Sequence, residues 1–220
     1  MNPPEALILA GPNGAGKTTS SASLIPAGTR FLNSDVITAR LLEEGHPPGA
    51  VDVAAGRLVL EQLRAVVARG ESFCIETNLA GRGLVRWIND WRVRGYTVRL
   101  VFTALDSPEL AVRRVASRVV SGGHDVPEMV VRRRWAAGLR GLFDLYLPLV
   151  DNWIVFDNSD RGLRQVAVGG QQGQARRIID EVRWARILTL AVLAGASASW
   201  SGGELFDPIA PIHDDGQSQP

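Results

Sequence analysis

The sequence predicts an α/β domain, one parallel sheet with helices on both faces. Three observations carry that prediction. Short apolar runs alternate with segments of helical periodicity along most of the chain. A glycine-rich stretch, "GPNGAGKTTS" at residues 11–20, stands between the apolar run "ALILA" and a helix-forming segment. Acids stand at the ends of two predicted strands, where ligands bind in sheets of this kind.

The glycine-rich stretch refines the fold class. Gly11, Gly16, Lys17 and Thr18 fit the G-x-x-x-x-G-K-[ST] spacing of a phosphate-binding loop, so the class becomes a P-loop NTPase fold with a five-stranded parallel sheet. Glycines let the backbone curl with its N–H groups inward. Those groups and the positive end of the next helix make an anion nest for phosphates. The candidate nucleotide-binding residues are Gly11, Pro12, Asn13, Gly14, Ala15, Gly16, Lys17, Thr18 and Thr19. Lys17 supplies a point charge to the β/γ oxygens, and the Thr18 hydroxyl is the candidate Mg²⁺ ligand.

The remaining elements follow in order. "TRFLNSD" reads as a second strand ending at Asp35, and "VITARLLEEG" as a helix stopped by Gly45. Pro47 and Pro48 open another helix, with apolar residues mostly at helical spacing. "SFCIET" is the third strand, and "GLVRWINDWRVRG" a helix with Trp87 and Trp91 on one face. "YTVRLVFTAL" is the fourth strand. Ser107 as N-cap and Pro108 at the first position open the helix after it. A longer helix spans "VPEMVVRRRWAAGLRGLFDLYLPL", "NWIVFDNS" is the fifth strand, and "GQARRIIDEVRWARILTLAV" the closing helix. The expectation is a single domain over residues 1–200 and a disordered tail, rich in Gly, Pro, Asp and Gln, over 201–220.

Composition narrows the function. With 220 residues, 45% of them apolar, and a net charge of +1, the chain suits one globular domain with no global field for nucleic acid or an acidic membrane. Arginines are many and lysines almost absent, which suits fork-like recognition of phosphates. The single cysteine, Cys74, reads as a buried strand residue, and cysteine usage points to a reducing cytoplasm. The N-terminus lacks the features of a signal peptide. "ILTLAVLAGASASW" falls short of the ~20 residues of a membrane span.

Three places separate a kinase from a motor or a switch. Asp35 stands where an acceptor hydroxyl would arrive and is the candidate general base, with helix capping as its alternative role. Glu76 ends the third strand, and with Thr77 and Asn78 it stands either on the metal side or against a polar acceptor. In "RVVSGGHDVPEMVVRRRW", Arg118 precedes a Gly122-Gly123 pair and Arg132, Arg133 and Arg134 follow it. That pattern suits a helical, arginine-bearing lid that closes on a migrating phosphoryl group, with at least one arginine simply solvated. His124 reads as a turn-shaping residue.

"LAGPNGAGKTT", "FLNSD", "IETNLAG", "RVVSGGHDVPEMVVRRRW" and "YLPLVDNWIVFDNS" together resemble the zeta toxin family of phosphate-loop kinases, in family order. The resemblance implies a kinase that uses ATP and Mg²⁺ to phosphorylate the 3′-hydroxyl of the amino sugar in UDP-N-acetylglucosamine, restrained by an antitoxin partner. It implies that Lys17 and Thr18 hold phosphate and metal and that Asp35 is the base. Glu76, Asn78 and Arg82 would bind the sugar nucleotide. Arg118 and one of Arg133 or Arg134 would clamp the transferring phosphoryl, and Asp157 and Asn158 would lie near the adenine. "ETNLAGR" stands where the best-known members carry a Glu-Gly-Thr-Gly-Arg-type stretch. Two other functions fit the residues, a nucleotide-dependent interaction module and a polynucleotide kinase. A basic track with interleaved aromatics, which the latter needs, is absent outside the lid.

Overall fold

The structure, a computed structural model, describes residues 3–123, 125–160 and 162–197. The tail expected over 201–220 and His124 lie outside the described residues, as does the side chain of Asp35. Seven strands form one sheet in the order β2-β3-β1-β4-β5-β6-β7. In chain order the elements are β1 (Glu5–Ala10), α1 (Lys17–Leu24), β2 (Arg30–Leu32), α2 (Ser34–Glu43), α3 (Pro48–Ala68), β3 (Phe73–Thr77) and α4 (Gly83–Val93). They continue with β4 (Thr97–Ala104), α5 (Pro108–Val120), α6 (Glu128–Gly141), β5 (Asn152–Asp157), β6 (Arg164–Gly170), β7 (Ala175–Ile178) and α7 (Glu181–Leu193). A π-helical turn, Leu142–Tyr146, continues α6.

The first five strands pair in parallel, as expected from the alternation of strand and helix. The sheet then gains two strands that the sequence reading lacked, because β6 and β7 pair antiparallel onto the edge at β5. Accordingly the closing helix begins at Glu181 rather than at Gly173. Asp180 caps it by accepting the Arg183 N–H at 3.0 Å. "ARRI" becomes a strand only because β6 offers it a ladder. It is an exposed edge carrying Arg176 and Arg177, a common way to discourage edge-to-edge association.

A second difference concerns Asp35. β2 stops at Leu32 and α2 starts at Ser34, so Asp35 is the second residue of a helix rather than the end of a strand. Ser107 caps α5 as expected, its side chain accepting the Leu110 N–H at 3.2 Å.

β1 is apolar throughout its buried part because both its faces are covered. Ala6, Ile8 and Ala10 join the main core, which takes residues from α3 through α7. Leu7 and Leu9 point the other way and pack with Cys74 and Val101 beside Leu24 and Ile25 at the end of α1. Trp91 is fully buried and stacks edge-on against Phe73, with Trp87 packed partly buried at the same core. Burial pushes the Cys74 thiol up to about 12, with the Glu76 charge adding to it, which suits an inert core thiol.

The sheet order positions the site. β1 has β3 on one side and β4 on the other, so the chain's direction of travel across the sheet reverses there, and the carboxyl end of β1 opens into a crevice. The register sets Glu76 opposite Leu9 and Thr77 opposite Ala10. β3 therefore delivers its polar end at the level where the phosphate loop leaves β1.

Candidate active site

The phosphate loop is shaped by its own backbone and by what lies under it. Gly16 takes φ 82°, a left-handed conformation suited to glycine, and precedes α1. A Cβ there would lie 2.8 Å from the Asn158 side-chain nitrogen. Asn158, just beyond β5, donates to the Ala15 carbonyl at 2.9 Å and so ties the loop to the sheet. Lys17 is 7% exposed, and its Nζ donates to the carbonyls of Gly11 at 2.9 Å and Pro12 at 3.0 Å. Gly11, Pro12 and Ala15 thus form the floor of the loop, while Asn13, Gly14, Gly16, Lys17, Thr18 and Thr19 face a cleft of about 460 Å³.

Glu76 anchors the polar end of that cleft. Its Oε2 accepts hydrogen bonds from the Thr18 hydroxyl at 2.9 Å and the Asn33 amide at 2.8 Å, and Oε1 lies 3.7 Å from Lys17 Nζ. Magnesium keeps most of its water and needs few protein oxygens. The Thr18 hydroxyl and the Glu76 carboxylate are hard oxygen donors on the cleft wall, and their chemistry fits such an ion. Among the described residues no group of three or more His, Cys, Asp or Glu could hold a metal unaided.

Asn78 also lines the cleft, as do Ser34 and Thr38 on either side of Asp35 in α2. α5 and α6 contribute Arg118 and Arg134 to the same lining. Gly122 and Gly123 close α5 with a Schellman motif. Gly123 N donates to Arg118 O and Gly122 N to Val119 O, both at 2.9 Å, with Gly122 at φ 84°. The glycine pair is thus a hydrogen-bonded helix end. The remaining arginines fall elsewhere. Arg132 pairs with Glu109 at 2.5 Å and Glu128 at 2.8 Å on the surface, and Arg133 is exposed and outside the cleft lining. Arg82 is exposed just before α4, also outside the lining. Asp157 is buried and accepts from Ser159 N at 2.8 Å and Arg183 Nε at 3.0 Å, so its carboxylate is engaged within the protein.

Five cleft residues escaped the sequence reading, Asn33, Ser34, Thr38, Arg114 and Val126. Asn33 and Thr38 are buried and polar, and only the fold brings them to the cleft. Arg114 lines it as well, with long contacts to the carbonyls of Gly14 (3.5 Å), Ser159 (3.4 Å) and Asp160 (3.3 Å). Its signal was present, since Arg114 stands four residues before Arg118 and hence on the same helix face.

A strand-fed phosphate loop, a carboxylate on its hydroxyl and arginines in the same cleft suit the handling of a phosphorylated nucleotide. Residues 7–143 match the model of a family described as AAA domain. The chain belongs to that family. The match runs from β1 into the π-helical turn, so every residue lining the cleft lies inside it, and Asn158 beneath the loop lies outside. An uncharacterized protein of Haemophilus influenzae is 26% identical to this AAA domain over 131 residues, covering 60% of this chain and 92% of that one. Among solved structures, a chain of the PezAT chromosomal toxin-antitoxin system of Streptococcus pneumoniae superposes with a TM-score of 0.54 at 19% identity, covering 74% of this chain and 71% of that one. A chain of the Pnkp1/Rnl/Hen1 RNA repair complex does so with a TM-score of 0.50 at 18% identity, covering 62% of this chain and 44% of that one. These likenesses show a shared fold, an α/β domain with a mixed central sheet. No described helix is long and apolar enough to cross a membrane.

Proposed function

We propose that this AAA domain is an ATP-dependent kinase of the zeta toxin type, acting on a hydroxyl of a nucleotide sugar such as the 3′-hydroxyl of UDP-N-acetylglucosamine. The observation that carries the proposal is the convergence in one cleft of Lys17 and Thr18, Glu76 and Asn78, and Arg118 and Arg134. A motor or switch needs the first pair, whereas a phosphoryl transferase also needs an acceptor wall and cations across from it.

In this proposal Lys17 and the loop N–H groups hold the β- and γ-phosphates, and Asn158 keeps the loop in place. Mg²⁺, when bound, neutralises charge on the phosphate oxygens, with Thr18 and Glu76 as the residues to hold it and its waters. Asn78 orients the acceptor. Asp35, in the first turn of α2, takes the proton as the acceptor oxygen bonds to the γ-phosphorus and the bond to the β-phosphate oxygen breaks, releasing ADP. Arg118 and Arg134 stabilise the charge that spreads over the transferring group. Arg82 and Arg133, outside the cleft lining, receive no role. An antitoxin protein is the proposed partner, and the cytoplasm the proposed compartment.

The test is ATP consumption with Mg²⁺ against nucleotide sugars, nucleosides and oligonucleotides, with mass spectrometry of the products. A sugar nucleotide heavier by one phosphate, placed on the sugar 3′-oxygen, is expected. Phosphorylation of another acceptor would retain the kinase and remove the substrate. ATP binding without transfer to any acceptor would favour an interaction module.

A further inference from the structure

We propose that the seam between the loop after β3 and the C-terminal half of α6 fixes the acceptor relative to Arg134, which makes Gly138, Gly141 and Tyr146 positioning residues of the active site. The proposal rests on the kinase function stated above.

The seam is a contact of backbone on backbone. A Cβ built at Gly138 would lie 2.5 Å from the Asn78 carbonyl oxygen, and one at Gly141 would lie 2.6 Å from that of Leu79. Backbone atoms cannot rotate aside as the end of a long side chain can, so only glycine admits this approach at both positions. Tyr146, buried in the π-helical turn that begins directly after Gly141, donates its hydroxyl to the Gly81 carbonyl. One stretch of helix thus holds three successive stations of the loop, at Asn78, Leu79 and Gly81.

The loop has a shape that depends on being held. Leu79 takes φ 53°, the one positive φ outside glycine among the described residues, and its side chain is 2% exposed. Its N–H donates to the Thr77 hydroxyl at 3.2 Å. α6 is itself anchored from the other side, where the Trp135 indole N–H donates to the Leu105 carbonyl at 3.0 Å. The helix spans from just after β4 to the loop after β3, with Arg134 lining the cleft.

Arg134 stands four residues before Gly138 and therefore on the same face of α6. That face brings Arg134 to the cleft at one level and receives the Asn78 backbone one turn later, with Asn78 lining the same cleft. Acceptor loop and phosphoryl clamp thereby share one frame. A displacement of about 1 Å between them costs up to ~10²-fold in rate.

Gly138→Ala and Tyr146→Phe test this, with Gly56→Ala in α3 as the control, since a Cβ there meets nothing within 4 Å. Amide hydrogen exchange over residues 78–82 and over β1 is measured together with kcat and KM for ATP and for the acceptor. Gly138→Ala should speed exchange in the loop but not in β1. It should also lower kcat/KM for the acceptor by at least about tenfold while the KM for ATP stays within about twofold. Tyr146→Phe should change the same quantities in the same direction by less, and it serves alone should Gly138→Ala fail to fold. Gly56→Ala should match the wild type. Loop exchange unchanged in both variants, or equal shifts of the KM values for ATP and acceptor, would overturn the proposal. If the wild type phosphorylates no acceptor, the kinase function fails, and exchange alone decides the seam by the same criterion.

Discussion

Thr18 and Glu76, 58 residues apart in the chain, meet through a 2.9 Å hydrogen bond from hydroxyl to carboxylate. The same carboxylate lies 3.7 Å from Lys17. Glu76 is therefore directed at the phosphate-loop end of the cleft. Glu76→Gln keeps the size of the side chain and removes its charge. It should raise the Mg²⁺ concentration for half-maximal activity by about 10–100-fold, as loss of a group that orients a metal's ligands does. The check is a Mg²⁺ titration at saturating ATP. An unchanged Mg²⁺ requirement with a raised acceptor KM would move Glu76 to the acceptor.

Lys17 is the only lysine in the sequence. An acyl-phosphate derivative of ATP should therefore acylate one side chain, identified by peptide mapping, and excess ATP should prevent it. Lys17→Ala should lose at least ~10²-fold in turnover, since the phosphate loop holds no other cationic side chain. Turnover within a few-fold of wild type, or labelling that ATP does not suppress, would contradict the phosphate-loop role.

Asp35→Asn is nearly isosteric and still compatible with the first turn of α2. Removal of the proposed general base should lower turnover by roughly 10²–10⁴ while ATP affinity, measured by equilibrium binding, changes little. Undiminished turnover would leave Asp35 as a helix-start residue alone.

The arginines should separate by location. Arg118→Ala and Arg134→Ala, on the cleft wall, should each reduce turnover by about 10²–10³ and disturb ATP affinity far less, because their contacts strengthen only as charge migrates. Arg132 is held by Glu109 and Glu128 at the surface. Arg132→Ala should leave turnover within about threefold, as exposed ion pairs contribute little. Equal, small effects at all three would argue for a generic basic surface.

The sequence by itself determined the phosphate loop and the five parallel strands. Both are local signals, one a spacing of glycines, lysine and threonine, the other apolar runs punctuated by helix caps such as Ser107. Also legible were the buried nature of Cys74 and the presence of acids near strand ends. Only the tertiary structure decided where those acids point and what faces them. Asn33 and Glu76 become partners because β2 and β3 pair in parallel, and Lys17 reaches Glu76 because β3 lies beside β1 in a register that no local pattern encodes. Asp35 moved from strand to helix because a three-residue strand has too few side chains to mark its end. β7 went unread because a short polar edge strand exists only through its partner's ladder. The division among Arg132, Arg133 and Arg134 was invisible for a related reason. Successive residues on a helix point about 100° apart, and which direction meets the cleft is set by Trp135, Gly138 and Gly141 packing α6 against β4 and the loop after β3.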